Sequence, residues 1–198
     1  EEVIEDVASL KEQGIVKVFA MKKDTYVWHT VHDQQMRQKL VAALQRCHKD
    51  YPYRYGMKKA EIHMTYMKKV KLNVFDLYID MLSEENVLCR YQEYLQLPEF
   101  EVRRDGTYNK VKNTLEKTFQ KAQFDFVRFS EISFGTISAD VVEDILLLLM
   151  DEKFVVKIDE NIYTLQTIID YAKEVIQMKL KENPLITIAE VRDLLGTS

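Results

Sequence analysis

The residues best suited to chemistry lie in one short run, Tyr51-Pro52-Tyr53-Arg54-Tyr55-Gly56-Met57-Lys58-Lys59. Aromatic rings interleaved with cations can stack on unpaired bases and pair with phosphates. Arg54, Lys58 and Lys59 therefore form a candidate nucleic-acid contact patch. The same run can also be an inter-helix loop whose tyrosines cover a core edge while the lysines stay in water, and that structural reading is favoured. A second basic tip, Met21-Lys22-Lys23-Asp24, holds two lysines and reads as a solvated turn.

Other chemistries find little support. The histidines His29, His32, His48 and His63 have no Cys or acid cluster of metal-ligand spacing beside them, so no metal site is expected. His29 and His32 could face each other. No GxxxxGK[ST] or GxGxxG loop is present, so no nucleotide or other cofactor is expected in this chain. No nucleophile, base and acid stand in a recognisable order, and the chain does not read as an enzyme. The acidic pairs Glu84-Glu85 and Asp151-Glu152 fall at helix ends and read as solvated surface. Cys47 and Cys89 lie in apolar-periodic segments and read as reduced core residues of a cytoplasmic protein.

Net charge is −4 over 198 residues, so any grip on nucleic acid must be local. The stretch from Lys49 to Lys71 is one such place, with seven Lys/Arg against two acids. The longest apolar run, Ile145 to Met150, is far short of the ~20 residues that span a bilayer. The chain opens on Glu1-Glu2 without a leader pattern or an initiator Met, and it reads as a soluble, monomeric fragment.

The elements that must position these residues show a repeat. Phe75, Tyr78, Ile79 and Leu82 fall at i, i+3, i+4 and i+7, one face of a helix. A shift of 67 positions gives Val142, Ile145, Leu146 and Leu149; a shift of 72 the other way gives Val3, Val7 and Leu10, with Asp6 as the misfit. Each helix precedes two short β-rich pieces separated by a polar break. These are Ile15–Phe19 with Tyr26–Trp28, Val87–Tyr91 with Tyr94–Leu97, and Phe154–Ile158 with Ile162–Leu165. Helix, strand, turn, strand is the tail of a winged-helix unit.

The fronts are legible too. Met36, Leu40, Leu44 and Cys47 line a helix ending near Asp50, and Met57 to Tyr66 reads as a short second helix. Val111, Leu115 and Phe119 line another first helix, with Phe126 to Phe134 as its short second. Thr187 and Glu190 form a capping box, and Gly196 suits the left-handed residue that ends its helix. Leu147 and Leu148 widen the apolar face of Ile145–Met150, either for the module core or for a neighbouring module. The expected fold is α+β, mainly helical: tandem winged-helix modules with two- or three-stranded wings and truncated end modules. The expected boundaries are 1–30, 31–101, 102–167 and 168–198, the first and last incomplete.

The segment from Thr187 to Ser198 resembles the start of the terminal winged-helix module of bacterial selenocysteine-specific elongation factors. Tyr53-Arg54-Tyr55-Gly56-Met57-Lys58-Lys59-Ala60-Glu61 is similar to that family's Leu-Arg-x-Gly-Met-x-Lys-x-Glu signature, with Tyr53 in place of Leu. Leu95-Gln96-Leu97-Pro98 resembles the strand that closes the same module. The resemblance implies an arm that spaces a GTPase and tRNA-binding part from a last module that grips an mRNA hairpin. It also implies that GTP and Mg belong to the full-length protein. The ribosome and selenocysteinyl-tRNA would be partners of the whole, the tRNA through parts outside this chain. Around the last module's recognition helix, Arg192, Thr197 and Ser198 are the RNA-binding candidates, and most of that helix would lie beyond Ser198.

The alternative is a tandem winged-helix transcription regulator that binds DNA. It requires third helices that offer cations or amides to the major groove. Asp76, Asp80, Glu84, Asp140, Glu143, Asp144 and Asp151 on the third helices argue against it.

Overall fold

The apolar stripe Phe75, Tyr78, Ile79 and Leu82 is wholly buried in α4 (Leu72–Glu84). Burial of each such side chain stabilises by about 1.5–3 kcal/mol. In this computed structural model, which describes residues 2–21 and 24–197, the chain divides into two units, Glu1–Val102 and Arg103–Ser198. The fold is mainly helical α+β, with small antiparallel sheets.

The first unit begins with α1 (Glu2–Glu12) and a hairpin of β1 (Val16–Ala20) and β2 (Thr25–His29). There follow α2 (Thr30–Asp50), β3 (Met57–Lys58), α3 (Lys59–Tyr66), α4, β4 (Cys89–Tyr91) and β5 (Tyr94–Gln96). β5 is the central strand of a three-stranded wing, between β3 and β4. Leu40 and Leu44 of α2, Ile62 of α3, the α4 stripe, and Leu88 and Leu95 of the wing share one core. Phe19 of β1 belongs to the same core, and the Trp28 ring lies 4.6 Å from that of Tyr78. The first hairpin is thus packed into the module that follows it.

The second unit contains α5 (Gly106–Ala122), a 3-10 turn (Phe129–Glu131), α6 (Ala139–Asp151), the hairpin β6 (Val155–Asp159) and β7 (Ile162–Leu165), α7 (Gln166–Glu182) and α8 (Ile188–Leu195). Val111, Leu115 and Phe119 of α5 are buried, as are Val142, Ile145, Leu146 and Leu149 of α6. Asp105 caps α5, accepting from the Thr107 and Tyr108 amides.

The repeat extends to the way three helices stop. Gly14, Asn86 and Lys153 stand at the 72- and 67-residue shifts, and all are left-handed, with φ of 70°, 56° and 56°. The amide three residues past each helix reaches back across its last turn: Ile15 N to Leu10 O, Val87 N to Leu82 O, Phe154 N to Leu149 O, each 2.9 Å. This 6→1 closure satisfies a carbonyl that the helix leaves open and turns the chain into the wing.

Several expectations are corrected. Met57 and Lys58 form a strand rather than helix, because they pair with Leu95 and Tyr94. Phe126 to Phe134 holds only the 3-10 turn. There the wing turn takes the backbone groups a helix would use: Phe129 N donates to Asn161 O, Ser130 N to Asn161 Oδ1, and Arg128 bridges Ile162. Cys47 and Cys89 form no disulfide and are half-buried, not core. Leu148 is buried, whereas Leu147 is 49% exposed. Asp144 is buried too, so α6 does not present it to solvent.

Gly56 explains the glycine of the Arg54-Tyr55-Gly56-Met57 motif. Its φ is +143°, and a Cβ there would lie 2.2 Å from the Leu95 carbonyl oxygen. The backbone must therefore approach β5 bare. Gly56→Ala is expected to destabilise by about 3 kcal/mol, read as a fall in the urea midpoint at unchanged m-value.

Candidate nucleic-acid interface

The candidate patch separates into two neighbourhoods. Tyr53 and Tyr55 are buried, and Tyr55 stacks on Tyr91 at 4.2 Å between centroids. Tyr51 is exposed, and the Arg54 guanidinium lies 4.0 Å over its ring. The tyrosines at 53 and 55 are therefore core residues, as the structural reading holds. Lys58 pairs with Glu93 at 2.8 Å and Lys59 with Asp76 at 2.9 Å. These two lysines share a depression of about 270 Å³ with Arg90 and Glu93. Arg54 lines a different one, of about 230 Å³, with Arg46, Asp50 and Glu61. Among the third-helix acids, Asp76 and Asp80 are matched within the module, Asp80 by Arg90 at 2.8 Å.

The other candidates lie in the second unit. Arg192 is exposed on α8. Thr187 and Glu190 form the expected capping box at its start, and Gly196 ends it in the left-handed conformation. Hydrogen bonds from the Thr187 backbone and side chain hold the Glu190 carboxyl below its usual pKa. The Thr197 hydroxyl donates to the Phe124 carbonyl at 3.4 Å. Ser198 lies outside the described residues, as do Lys22 and Lys23 of the first hairpin tip.

His29 caps α2 by accepting from the Val31 amide, and its ring is 6.2 Å from that of His32. Among the described residues no group of three or more His, Cys, Asp or Glu could hold a metal ion. No helix is long and apolar enough to cross a membrane, among the same residues.

Sequence reasoning missed a polar cluster centred on Asp33. Asp33, in the first turn of α2, is buried, and four side chains converge around it. Lys17 of β1 lies 3.0 Å from its carboxylate, Arg37 donates at 2.8 Å, and the Tyr78 hydroxyl donates at 2.9 Å. Glu85, the C-cap of α4, accepts from Lys17 at 3.2 Å and also pairs with Arg37. Two cations thus face two anions where the first hairpin meets α2 and α4. Burial of Asp33 opposes its charge. Hydrogen bonds from Lys17, Tyr78 and Arg37 outweigh this and hold its pKa below the usual carboxylate value. Glu85 is lowered chiefly by its bond from Arg37. Tyr78 is raised by desolvation and by Asp33, so it serves as a hydroxyl donor.

The second unit repeats part of this device. Glu152, the C-cap of α6, stands 67 positions after Glu85. It accepts from Arg104 at 2.6 Å and from the Tyr108 hydroxyl at 3.0 Å. Desolvation and then Glu152 push the Tyr108 pKa up to about 12. Neither glutamate is the freely solvated surface acid expected from its place at a helix end. Each ties the close of the third helix to residues at or near the first.

A titratable ring marks the end of α2. His48 stacks on Phe100 with centroids 3.5 Å apart and planes 9° apart, and its Nε2 accepts from the Leu97 amide at 3.1 Å. Burial pulls its pKa down to about 4.

Two outcomes follow. Asp33→Ala leaves Lys17, Arg37 and Tyr78 without their common acceptor and should cost about 3 kcal/mol. Lys17→Met leaves Asp33 bonded to Arg37 and Tyr78 and should cost about 1 kcal/mol, both read by chemical denaturation. Acid should act in two steps. The unfolded chain protonates His48 near its ordinary value of about 6.5 and the folded chain only near 4, so its contribution is lost as pH falls through that window. Asp33 and Glu85 lose theirs below the ordinary carboxylate range, as pH falls through their lowered values. His48→Phe keeps a ring on Phe100 and should flatten the first step of a melting-temperature profile; an unchanged slope would show that His48 does not produce it.

Residues 41–97, from the middle of α2 through β5, match the family model described as elongation factor SelB, winged helix, in its second-module form. No match is found among curated protein sequences. Among solved structures, the crystal structure of bacterial selenocysteine-specific elongation factor EF-Sec aligns with 91% of this chain and 27% of its own, at 15% identity and a TM-score of 0.42. The chain therefore spans 27% of that protein's length. Over residues 41–97 the chain is thus similar to a winged-helix module of elongation factor SelB.

Proposed function

We propose that this chain is part of the C-terminal arm of a selenocysteine-specific elongation factor and acts there as a spacer without catalysis of its own. In this reading residues 1–30 are the tail of a first winged-helix module, 31–101 and 102–167 are the second and third, and 168–198 are the front of a fourth. The observation that carries it is the family match at 41–97, which falls on the module read from the sequence as second in the row. The Asp33 cluster supports a spacing role, because it fixes the first hairpin on the second module through ion pairs between α2, α4 and β1. The front of the last module supports the order of the row: Tyr171, Met178, Leu185 and Ile188 leave apolar surface exposed, as a module front does before its remaining helix covers it.

The partners of the whole protein are then an mRNA hairpin, reached mainly through residues beyond Ser198, the ribosome, and selenocysteinyl-tRNA held elsewhere. GTP and Mg would belong to that other part, and the protein would work in the cytoplasm. Arg192 and Thr197 would flank the RNA-reading helix.

The test compares this chain with a protein continued through the rest of the last module, on selenoprotein mRNA hairpins and on duplex DNA. The longer protein should bind the hairpin, and this chain should bind it weakly or not at all. Binding of the duplex with indifference to the hairpin would overturn the reading in favour of a DNA-binding regulator.

A further inference from the structure

No motif marks the hollow between the first hairpin and the turn from α3 to α4, yet it combines features that nucleic-acid sites use. It encloses about 340 Å³ within the first unit, and Tyr26, Val27, Trp28 and Val74 line it together with Lys69 and Lys71. Tyr26 and Trp28 are half-buried, so their rings are held in place, Trp28 against Tyr78. Val27 beside them is 46% exposed.

The turn Met67-Lys68-Lys69-Val70-Lys71 adds charge. Lys68, Lys69 and Lys71 are all exposed. The described carboxylate next to them is Asp24, 3.8 Å from Lys71 and accepting from the Tyr26 hydroxyl at 3.3 Å. Lys71 also lies 5.5 Å from the centre of the Tyr26 ring. It is the N-cap residue of α4, a helix with no acid in its first turn, so the positive end of that helix faces the same region. The lysines of the sequence-derived patch differ, because Lys58 and Lys59 each have a carboxylate partner within 3 Å.

We propose that this hollow is a separate nucleic-acid contact that takes an unpaired RNA segment. Bases stack against Tyr26 and Trp28, and the phosphates meet Lys68, Lys69 and Lys71. Stacking on a fixed aromatic shelf contributes about 1–3 kcal/mol per base and tolerates any sequence. The lysines supply the salt-dependent part. The choice of RNA over DNA rests on the elongation-factor reading; the stacking and charge geometry does not.

Trp28 is the chain's one tryptophan, so its fluorescence reports on this site alone. Titration of the intact chain with an oligouridylate of ~10 nucleotides should quench it saturably. Lys69→Ala with Lys71→Ala should weaken binding roughly tenfold and lower the log–log salt slope by about 0.7 per lysine. Lys39→Ala with Lys49→Ala, exposed cations elsewhere on the same unit, should change neither. Absence of quenching, an equal effect of the control pair, or the same quenching by oligoglutamate would overturn the proposal. Tighter binding of oligothymidylate would overturn the RNA assignment. Hairpin binding by the longer protein is read separately, so failure of one is distinguishable from failure of the other.

Discussion

A carboxylate withdrawn from water must be matched by donors brought to it, and Asp33 imposes that requirement on three elements at once. Its partners come from β1, α2 and α4, and Tyr78, which supplies one of them, is also the aromatic centre of the core. The position of the first hairpin is therefore set by polar matching as well as by apolar contact. Phe19 and Trp28 would pack against Tyr78 in many rotations. The bond from Lys17 to Asp33 and Glu85 restricts them to few. Buried ion pairs are poor sources of net stability, but removing one partner of such a pair is strongly destabilising because it leaves a buried charge unmatched.

The glutamate at the close of the third helix is the recurrent part of this design. Glu85 and Glu152 cap α4 and α6, and each is met by an arginine from the first-helix region of its own module. The remaining partners differ. Glu85 shares its cations with a buried aspartate, whereas Glu152 shares its arginine's neighbourhood with the phenol of Tyr108. The repeat therefore conserves a geometric role while its chemistry drifts with the neighbouring element: a hairpin lysine in one unit, a core-edge tyrosine in the other.

What was legible in the sequence follows from the range of the interactions. The stripes on α4 and α6 announce themselves by spacing, because helix periodicity converts burial into a local pattern. The capping box of Thr187 and Glu190 and the left-handed Gly196 are equally local, and both appear as read. Asp33 was not legible, because its meaning depends on Lys17 and on Tyr78, 45 residues further along. Glu85 and Glu152 looked solvated for the same reason. The expected helix at Phe126–Phe134 failed because Asn161, in the following wing, takes its backbone donors. The candidate patch was half legible: its tyrosines were rightly suspected of belonging to the core, but the partners of Lys58 and Lys59 lie in the wing and α4. The hollow beside Trp28 has no linear signature, since its rings and its lysines come from segments some 40 residues apart.

The junction between hairpin and module also has a long-range electrical character. Lys17 and Arg37 cancel Asp33 and Glu85 within a few ångströms, so the cluster sums to zero. Beyond a Debye length, about 8 Å at physiological ionic strength, such a quadrupole-like group is electrically silent. A polyanion passing along this face is neither drawn in nor turned away by the very charges that hold the joint. Attachment and support would thereby be uncoupled: nucleic acid held at the exposed lysines, as proposed, would leave the internal joint closed.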